Sequence, residues 1–333
     1  MIVFAWNGFP QYAARCVGAF AKTTNESVVV VATRPLVPIK GMESVCNCPV
    51  HWIDGDGSFD CQVGRGEGIA LFTTGWDVPA FNRLRNRVRA NGGRTICLVD
   101  NNLIPSFGEI LKAIRFNLLF RRYYDAFIVP GKSGRKLLRF YGVPDGLIRE
   151  GSYAADESLF TSGSALAERS KRIIYVGQYI PRKNIEAMAE AFRAENRGDW
   201  RLDLYGCGPV AVADGGGVFS HPFLQVEELS EQYRRSRALW LGSHEEHWGV
   251  VVHEAALSGC VLALSNRVGA AADLAGKDNA VIFDPESLAD MRRAMRMVMD
   301  MSDDRLMRAR RESLELAGRI GLNTFVEAVK SVL

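Results

Sequence analysis

No run in the 333 residues approaches the ~18 to 20 consecutive apolar positions that a bilayer-spanning helix needs. The start, MIVFAWNG, lacks the basic segment and cleavage site of a secretory leader, so a cytoplasmic protein is expected. The seven cysteines (Cys16, Cys46, Cys48, Cys61, Cys97, Cys207, Cys260) are odd in number and irregular in spacing. That argues against a disulfide framework and fits reduced thiols. Cys46 and Cys48 are too close to form half of a CxxC zinc site, and no second pair accompanies them. Histidine is scarce, and none lies between His51 and His221, so any chemistry seated there must use other groups. Internal repeats and low-complexity tracts are also missing, which removes solenoid architectures.

What is present is the composition of a globular protein, 47% apolar and 24% charged, long enough for two domains. The apolar runs IVFAW (2–6) and SVVVVAT (27–33) have the continuous character of buried parallel strands, with a helix between them over 12–22. Further strands are expected at 69–73, 95–100 and 126–129, and helices at 79–90, 109–123 and 134–141. A Ser-, Ala- and charge-rich tract, TSGSALAERS at 161–170, reads as a linker. Beyond it the alternation restarts, with strands at 172–176, 202–205, 238–241, 261–265 and 280–283 and a helix from Arg182 to Ala194. Helices follow to the end. The expected fold class is α/β, with two doubly wound Rossmann-like domains over 1–165 and 166–320 and a terminal helix over 321–333.

Within the second half, Ser243 to Gly259 (SHEEHWGVVVHEAALSG) reads as an acidic loop running directly into a helix. Unpaired N–H groups of the first helical turn and the positive end of its dipole make a site for a phosphate or diphosphate, which Gly249 lets approach the backbone. Glu246 and Glu254 flank that site, and carboxylates there are suited to hydroxyls. Polyol, diphosphate and second polyol is the layout of a nucleotide sugar. The alternative is a surface helix with two solvated glutamates. Three histidines in this stretch, His244, His247 and His253, straddle loop and helix without the logic of a metal site, so neither a metal nor any other cofactor is expected.

The stretch resembles the Glu-seven-Glu segment of retaining GT-B glycosyltransferases of family 4. There a Ser, the first Glu, an aromatic-Gly pair and a Glu-Ala-small-x-Gly run occur in this order. The resemblance extends further. IIYVGQYIPRKNIEAMAEAFRA is similar to the strand, loop and helix that hold the donor diphosphate with an Arg and a Lys. Lys183 matches the Lys; Gln178, directly after Gly177, stands at the Arg position, and Arg182 is the candidate to compensate. LDLYGCGP resembles the strand ending in Gly-x-Gly-Pro, with Gly206 and Gly208 beneath the nucleotide. HPFLQVEELSEQYRRSRALWLGS resembles the base-binding strand and helix, with Phe223, Leu224 and Gln225 flanking the base. GVPDGLIREGSYAADESLF resembles the interdomain run through Asp156 and Phe160.

The resemblance implies two domains facing a cleft, with the terminal helix crossing back to the first. It assigns the donor sugar to Glu246 and the ribose hydroxyls to Glu254. His247, Trp248, Gly249, Val250 and Val251 are then donor contacts, and Glu246, Lys183, Arg182 and Asp100 carry the catalysis. The implied activity is retaining, metal-independent transfer from a UDP- or GDP-linked sugar to a glycan or lipid-linked acceptor in surface polysaccharide or glycolipid assembly. A GT-B epimerase or phosphorylase, and a non-catalytic nucleotide-sugar binder, remain as alternatives.

The first half is where this chain departs from the family. The family's His beside the sugar is absent, and Asp100 and Asn101 at a strand end are either sugar or acceptor contacts or turn formers. Gly8, in Asn7-Gly8-Phe9-Pro10, is likewise either a phosphate contact or part of a turn. Gly131-Lys132-Ser133 lacks the preceding glycine of a P-loop, since Ala126 stands there. Net charge is +3, but residues 1–165 hold 19 Lys+Arg against 14 Asp+Glu. Between Pro79 and Gly142 there are 13 basic residues against Asp100, Glu109 and Asp125. Lys112, Arg115 and Arg122 fall within an arc of ~80° of the helix from Glu109, with Leu119 inside it. That pattern points either to an anionic inner-membrane surface as a partner or to a purely solvated basic face. No recognised module supports nucleic-acid binding.

Overall fold

The computed structural model describes residues 1–53, 63, 66–196 and 198–333; Cys61 lies outside them. The chain forms two compact units, residues 1–154 with 322–333, and residues 155–321. The first holds β1 (Ile2–Trp6), α1 (Gln11–Ala21), β2 (Val28–Thr33), α2 (Met42–Cys46), β3 (Val50–Ile53), β4 (Ala70–Thr74), α3 (Pro79–Ala90), β5 (Arg94–Leu98), α4 (Phe107–Leu119), β6 (Ala126–Val129), α5 (Lys132–Phe140) and β7 (Ile148–Glu150). Its strands are parallel in the order β3-β2-β1-β4-β5-β6-β7. Val3 of β1 registers with Val29 on one side and Leu71 on the other, and all five β1 residues are buried. A strand covered on both faces has no polar side to show, which is why its sequence is continuously apolar.

The second unit holds β8 (Arg172–Val176), α6 (Ile185–Glu195), β9 (Arg201–Tyr205), β10 (Val218–His221), α7 (Val226–Arg235), β11 (Ala238–Leu241), α8 (Val250–Leu257), β12 (Val261–Ser265), α9 (Ala271–Leu274), β13 (Ala280–Phe283), α10 (Leu288–Met299) and α11 (Asp303–Ala317). Its parallel order is β10-β9-β8-β11-β12-β13. Both sheets therefore reverse direction once, between β1 and β4 and between β8 and β11, as in the dinucleotide-binding fold. The final helix, α12 (Leu322–Lys330), belongs to the first unit. There Phe325 meets Phe4 at 5.9 Å, and Arg94 Nη1 donates to the Leu333 carbonyl at 2.6 Å.

Three expectations are corrected. The division falls at Ala154–Ala155, and 161–170 is part of the second unit. The polar composition of that tract conceals Arg169, which is buried and donates to the carbonyls of Ser164 (3.1 Å), Ser236 (2.9 Å) and Ser258 (2.8 Å). Arg182 and Lys183 do not begin the helix but sit in a separate 3₁₀ turn, Pro181–Lys183. Asn184, left-handed at φ 56°, ends that turn before α6 begins. Likewise α4 stops at Leu119, and Arg122 lies in the 3₁₀ turn Arg121–Tyr123 with its guanidinium on the Tyr123 ring, so it does not share an α4 face with Lys112 and Arg115. The unpredicted strands β3, β7 and β10 all lie at sheet edges.

Candidate active site

In an open parallel sheet, ligands collect at the carboxyl ends of the strands where the order reverses. In the second unit that place is defined by β8 and β11, and the loops leaving them are Gly177–Ile180 and Gly242–Gly249. Beside them runs the loop after β9. These are the three segments that the sequence singled out.

The glycines at the β8 and β9 ends let two backbones touch. A Cβ on Gly206 would stand 1.8 Å from the Gly177 carbonyl oxygen, and one on Gly208 2.3 Å from that of Tyr179. The loops are laced together by Gly177 N to Tyr205 O (3.1 Å), Tyr179 N to Cys207 O (2.8 Å) and Val210 N to Tyr179 O (2.9 Å). Tyr175 Oη donates to the Gln178 carbonyl at 2.8 Å, and Tyr179 Oη to that of Leu204 at 2.6 Å. Protein fills the space a side chain would take at Gly206 and Gly208, so these glycines shape the floor of the site through loop packing.

The loop after β11 is tied to the one after β12. Glu246 N donates to Arg267 O at 3.2 Å, Gly269 N to Glu246 O at 3.1 Å and Ala270 N to Trp248 O at 2.9 Å. Ser265 Oγ donates to Ser243 O at 2.6 Å. The Glu246 carboxylate is thereby held in a nearly buried position, where it pairs with Lys183 Nζ and accepts from Ser243 Oγ at 3.2 Å. Arg182 Nη1 donates to the Glu245 carbonyl at 2.6 Å, and the Arg182 carbonyl accepts from His244 N at 2.9 Å. The 3₁₀ turn and the acidic loop thus form one body, with a cation and a carboxylate meeting inside it. Ser243, Ser265 and Arg267, which position Glu246, were given no role by the sequence. Ser265 and Arg267 lie some twenty residues downstream, and only the sheet order reveals their proximity.

Gly249 precedes α8 with φ 91°, a left-handed conformation, and a Cβ there would meet Glu246 Cγ at 2.9 Å. Glycine is demanded both by torsion and by space. No side chain caps α8, and Gly249, Val250 and Val251 are half-exposed, so the positive helix end opens outward beside the Lys183–Glu246 pair. The next turn of α8 carries Glu254, buried, with one oxygen accepting from Tyr233 Oη at 3.0 Å. Burial pushes its carboxyl up to about 7, and the Tyr233 hydrogen bond opposes this only in part.

The remaining expected residues separate. Gln225 caps α7 in a reciprocal box with Glu228, and Phe223 and Leu224 are half-buried just before it. The three histidines diverge: His244 Nδ1 lies 2.8 Å from Glu286, and His247 Nε2 lies 3.4 Å from Glu245. His253 is fully buried, accepting at Nδ1 from Ala155 N (3.0 Å) and so donating from Nε2 to Ala317 O (3.1 Å). Desolvation lowers its pKa to about 4, keeping it neutral. Among the described residues no group of three or more His, Cys, Asp or Glu is arranged to hold a metal ion. Asp156 accepts from Ser158 N and Oγ at 2.9 and 2.6 Å, and Phe160 meets Tyr233 edge-on at 5.8 Å.

Gly8, Asp100 and Asn101 belong to the first unit. Gly8, at φ 64°, donates its N–H to Thr33 Oγ1 at 2.7 Å, and Asn7 N donates to Thr74 Oγ1 at 2.8 Å. Its amide is committed to a turn across the ends of β2 and β4. Asp100 and Asn101 follow β5 and are half-buried.

With this geometry in hand, the comparisons are informative. A family model described as glycosyl transferases group 1 matches residues 159–313. No curated protein matches the sequence. Among solved structures, Anabaena HepE in complex with UDP and glucose is 13% identical, with a TM-score of 0.75, covering 99% of this chain and 98% of that one. Sucrose-phosphate synthase from Thermosynechococcus elongatus gives 12%, 0.73, 99% and 98%. The α,α-trehalose-phosphate synthase (UDP-forming) from Burkholderia vietnamiensis gives 13%, 0.72, 99% and 98%. At such identities the structural likeness speaks for the fold. The chain has the GT-B fold, and its residues 159–313 match the family model of the glycosyl transferases group 1.

Proposed function

We propose that the protein transfers a sugar from a UDP- or GDP-linked donor to a hydroxyl of a glycan or lipid-linked saccharide, with retention of configuration and without a metal ion. The observation that carries this reading is the uncapped first turn of α8, set between the Lys183–Glu246 pair and the buried Glu254 at the reversal point of the sheet. Neighbours crystallised with UDP support the nucleotide class.

As the glycosidic bond to the diphosphate breaks, its electron pair and the developing negative charge pass to the leaving phosphate oxygen, the acceptor hydroxyl oxygen bonds to the anomeric carbon, and the hydroxyl proton ends on the departing diphosphate. The N–H groups of Gly249 to Val251 and Lys183 stabilise that charge from fixed positions, without reorganising. Lys183 then shifts its attention from Glu246 to the phosphate, which frees the Glu246 carboxylate for donor-sugar hydroxyls. Arg182 acts by holding the Glu245 carbonyl, and so the loop, in place. Glu254 takes the ribose hydroxyls, and Phe223 to Gln225 border the base. Asp100 and Asn101 of the first unit contact sugar or acceptor. The role in surface polysaccharide or glycolipid assembly belongs to the same reading, with a lipid-linked acceptor offered at an anionic membrane surface.

A thermal-shift screen against UDP, GDP, ADP and their sugars, followed by product analysis with saccharide acceptors, tests it. Stabilisation by one nucleotide sugar and an α-linked product from an α-linked donor are expected. No stabilisation by any nucleotide would refute it, as would epimer formation or phosphate-dependent release with donor alone.

A further inference from the structure

Helix α4 is oriented the opposite way from what its pattern dictates. At 100° per residue, Phe107, Ile110, Leu111, Ile114 and Leu118 fall within an arc of ~100°, the i, i+3, i+4, i+7 spacing that normally marks a core face. The structure turns that arc outward: these residues are 76, 46, 53, 51 and 69% exposed. The face turned inward holds Phe116, packed among Trp76, Phe127 and Tyr141, together with the buried Glu109. Glu109 is retained there by Tyr141 Oη, which donates to it at 2.5 Å, and by Lys112 Nζ at 3.0 Å. Ser106 caps the helix by accepting from Glu109 N at 3.1 Å. The helix is therefore well anchored in this orientation, and its apolar stripe is left uncovered over a length of roughly 20 Å.

Charge decides what covers it. Arg115, exposed, flanks the stripe on one side, and the exposed Arg122 stands just beyond the helix, while Lys112 lies farther round and is paired with Glu109. Glu109 is the only acidic residue between Phe107 and Arg122, and it is buried. A second copy of the chain, docked antiparallel face to face, would set the Arg115 flanks of the two copies together. A surface that is apolar within and negative at its rim matches both features, and a bilayer of anionic lipid has that profile.

We propose that α4 lies in the interface of an anionic membrane, burying Phe107, Ile110, Leu111, Ile114 and Leu118 among the acyl chains while Arg115 and Arg122 meet lipid phosphates. This deepens the transfer reading by giving the acceptor a lipid source, but the docking itself needs no turnover and is measured without substrate.

The test is sedimentation of the full chain with phosphatidylcholine vesicles with and without phosphatidylglycerol. Wild type should partition onto the anionic vesicles and little onto the neutral ones. Arg115→Gln with Arg122→Gln should weaken that partition roughly 30-fold, from the usual contribution of a basic residue near such a surface. Leu111→Ser, Ile114→Ser and Leu118→Ser together should abolish it while leaving the nucleotide-induced thermal shift intact, which verifies folding of the second unit. As a second measurement, a fluorophore on Leu118→Cys should become shielded from an aqueous quencher only when anionic vesicles are present. Equal partition onto both vesicle types, or a triple variant that binds like wild type, overturns the proposal. So does a wild-type dimer in light scattering that the triple variant loses. Failure of the nucleotide screen with vesicle binding intact would instead remove the transfer reading alone.

Discussion

If the site binds a nucleotide sugar as proposed, the Glu254 carboxyl should make that binding pH-dependent, by an amount that follows from its burial. Unliganded, it titrates at about 7 because it is buried with a single hydroxyl partner. If the ribose hydroxyls donate to it, the ionised form is the one that binds. With a pKa of about 7 the group is ~91% ionised at pH 8 and ~9% at pH 6, so affinity should fall about tenfold, or about 1.4 kcal/mol, across that interval. Calorimetry at pH 6 in two buffers of different ionisation enthalpy should find roughly 0.9 proton released per nucleotide sugar bound. A nucleotide sugar is the proper ligand, since it lacks the terminal phosphate whose own ionisation near pH 6 would intrude. Glu254→Gln should bind more weakly at pH 8 and lose both the pH dependence and the proton release. The linkage carries a second, independent sign. A carboxyl whose folded pKa exceeds its unfolded value costs nothing below pH ~4.5, and its cost grows until about pH 7. Unliganded Glu254→Gln should therefore be more stable than wild type at pH 8, by at most about 3 kcal/mol. Wild-type affinity that is flat from pH 6 to 8 and matched by Glu254→Gln would refute the ribose assignment.

Other variants probe the rest of the site. Lys183→Ala strands the Glu246 carboxylate in a nearly dry position and should destabilise the protein by about 3 to 5 kcal/mol; Lys183→Met with Glu246→Leu should recover stability in denaturant titrations but not turnover. Gly249→Ala combines an unfavourable torsion with a 2.9 Å contact to Glu246, and should cost roughly 1 to 3 kcal/mol together with most nucleotide affinity in the thermal-shift assay. His253, held near 4, contributes stability that is complete above pH ~6.5 and is lost as pH falls toward 4. His253→Gln should flatten that part of the stability profile in urea melts at successive pH values. Arg169→Met removes a buried guanidinium from four carbonyls without a carboxylate partner, and should lower stability by at least about 2 kcal/mol in the same melts.

The inner strands were legible because burial on both faces favours continuous apolar runs, as in IVFAW and VLAL. The edge strands VHWI, IRE and VFSH were not, since a strand with one neighbour is half-exposed and carries His, Arg, Glu and Ser without penalty. The loop and helix that carry Glu246 and Glu254 could be read from the sequence. Their partners could not, because Lys183 lies 63 positions from Glu246 and the link is made by the adjacency of β8 and β11. The turn holding Lys183 was misread as a helix start because Asn184, an ordinary residue in sequence, adopts a left-handed conformation in context. The linker was misplaced for a similar reason: Arg169 looks like solvent-facing charge until its carbonyl partners, brought from α7 and α8, are assembled around it.

Helix α8 has one further property, which is mechanical. Its first turn faces the anion site, and its next turn carries His253, whose two ring nitrogens grip Ala155, where the chain enters the second unit, and Ala317, shortly before it leaves. A helix only eight residues long thus joins the candidate anion site to both ends of the domain's chain path. A displacement of its first turn would reach entry and exit together, through a single imidazole that burial keeps uncharged.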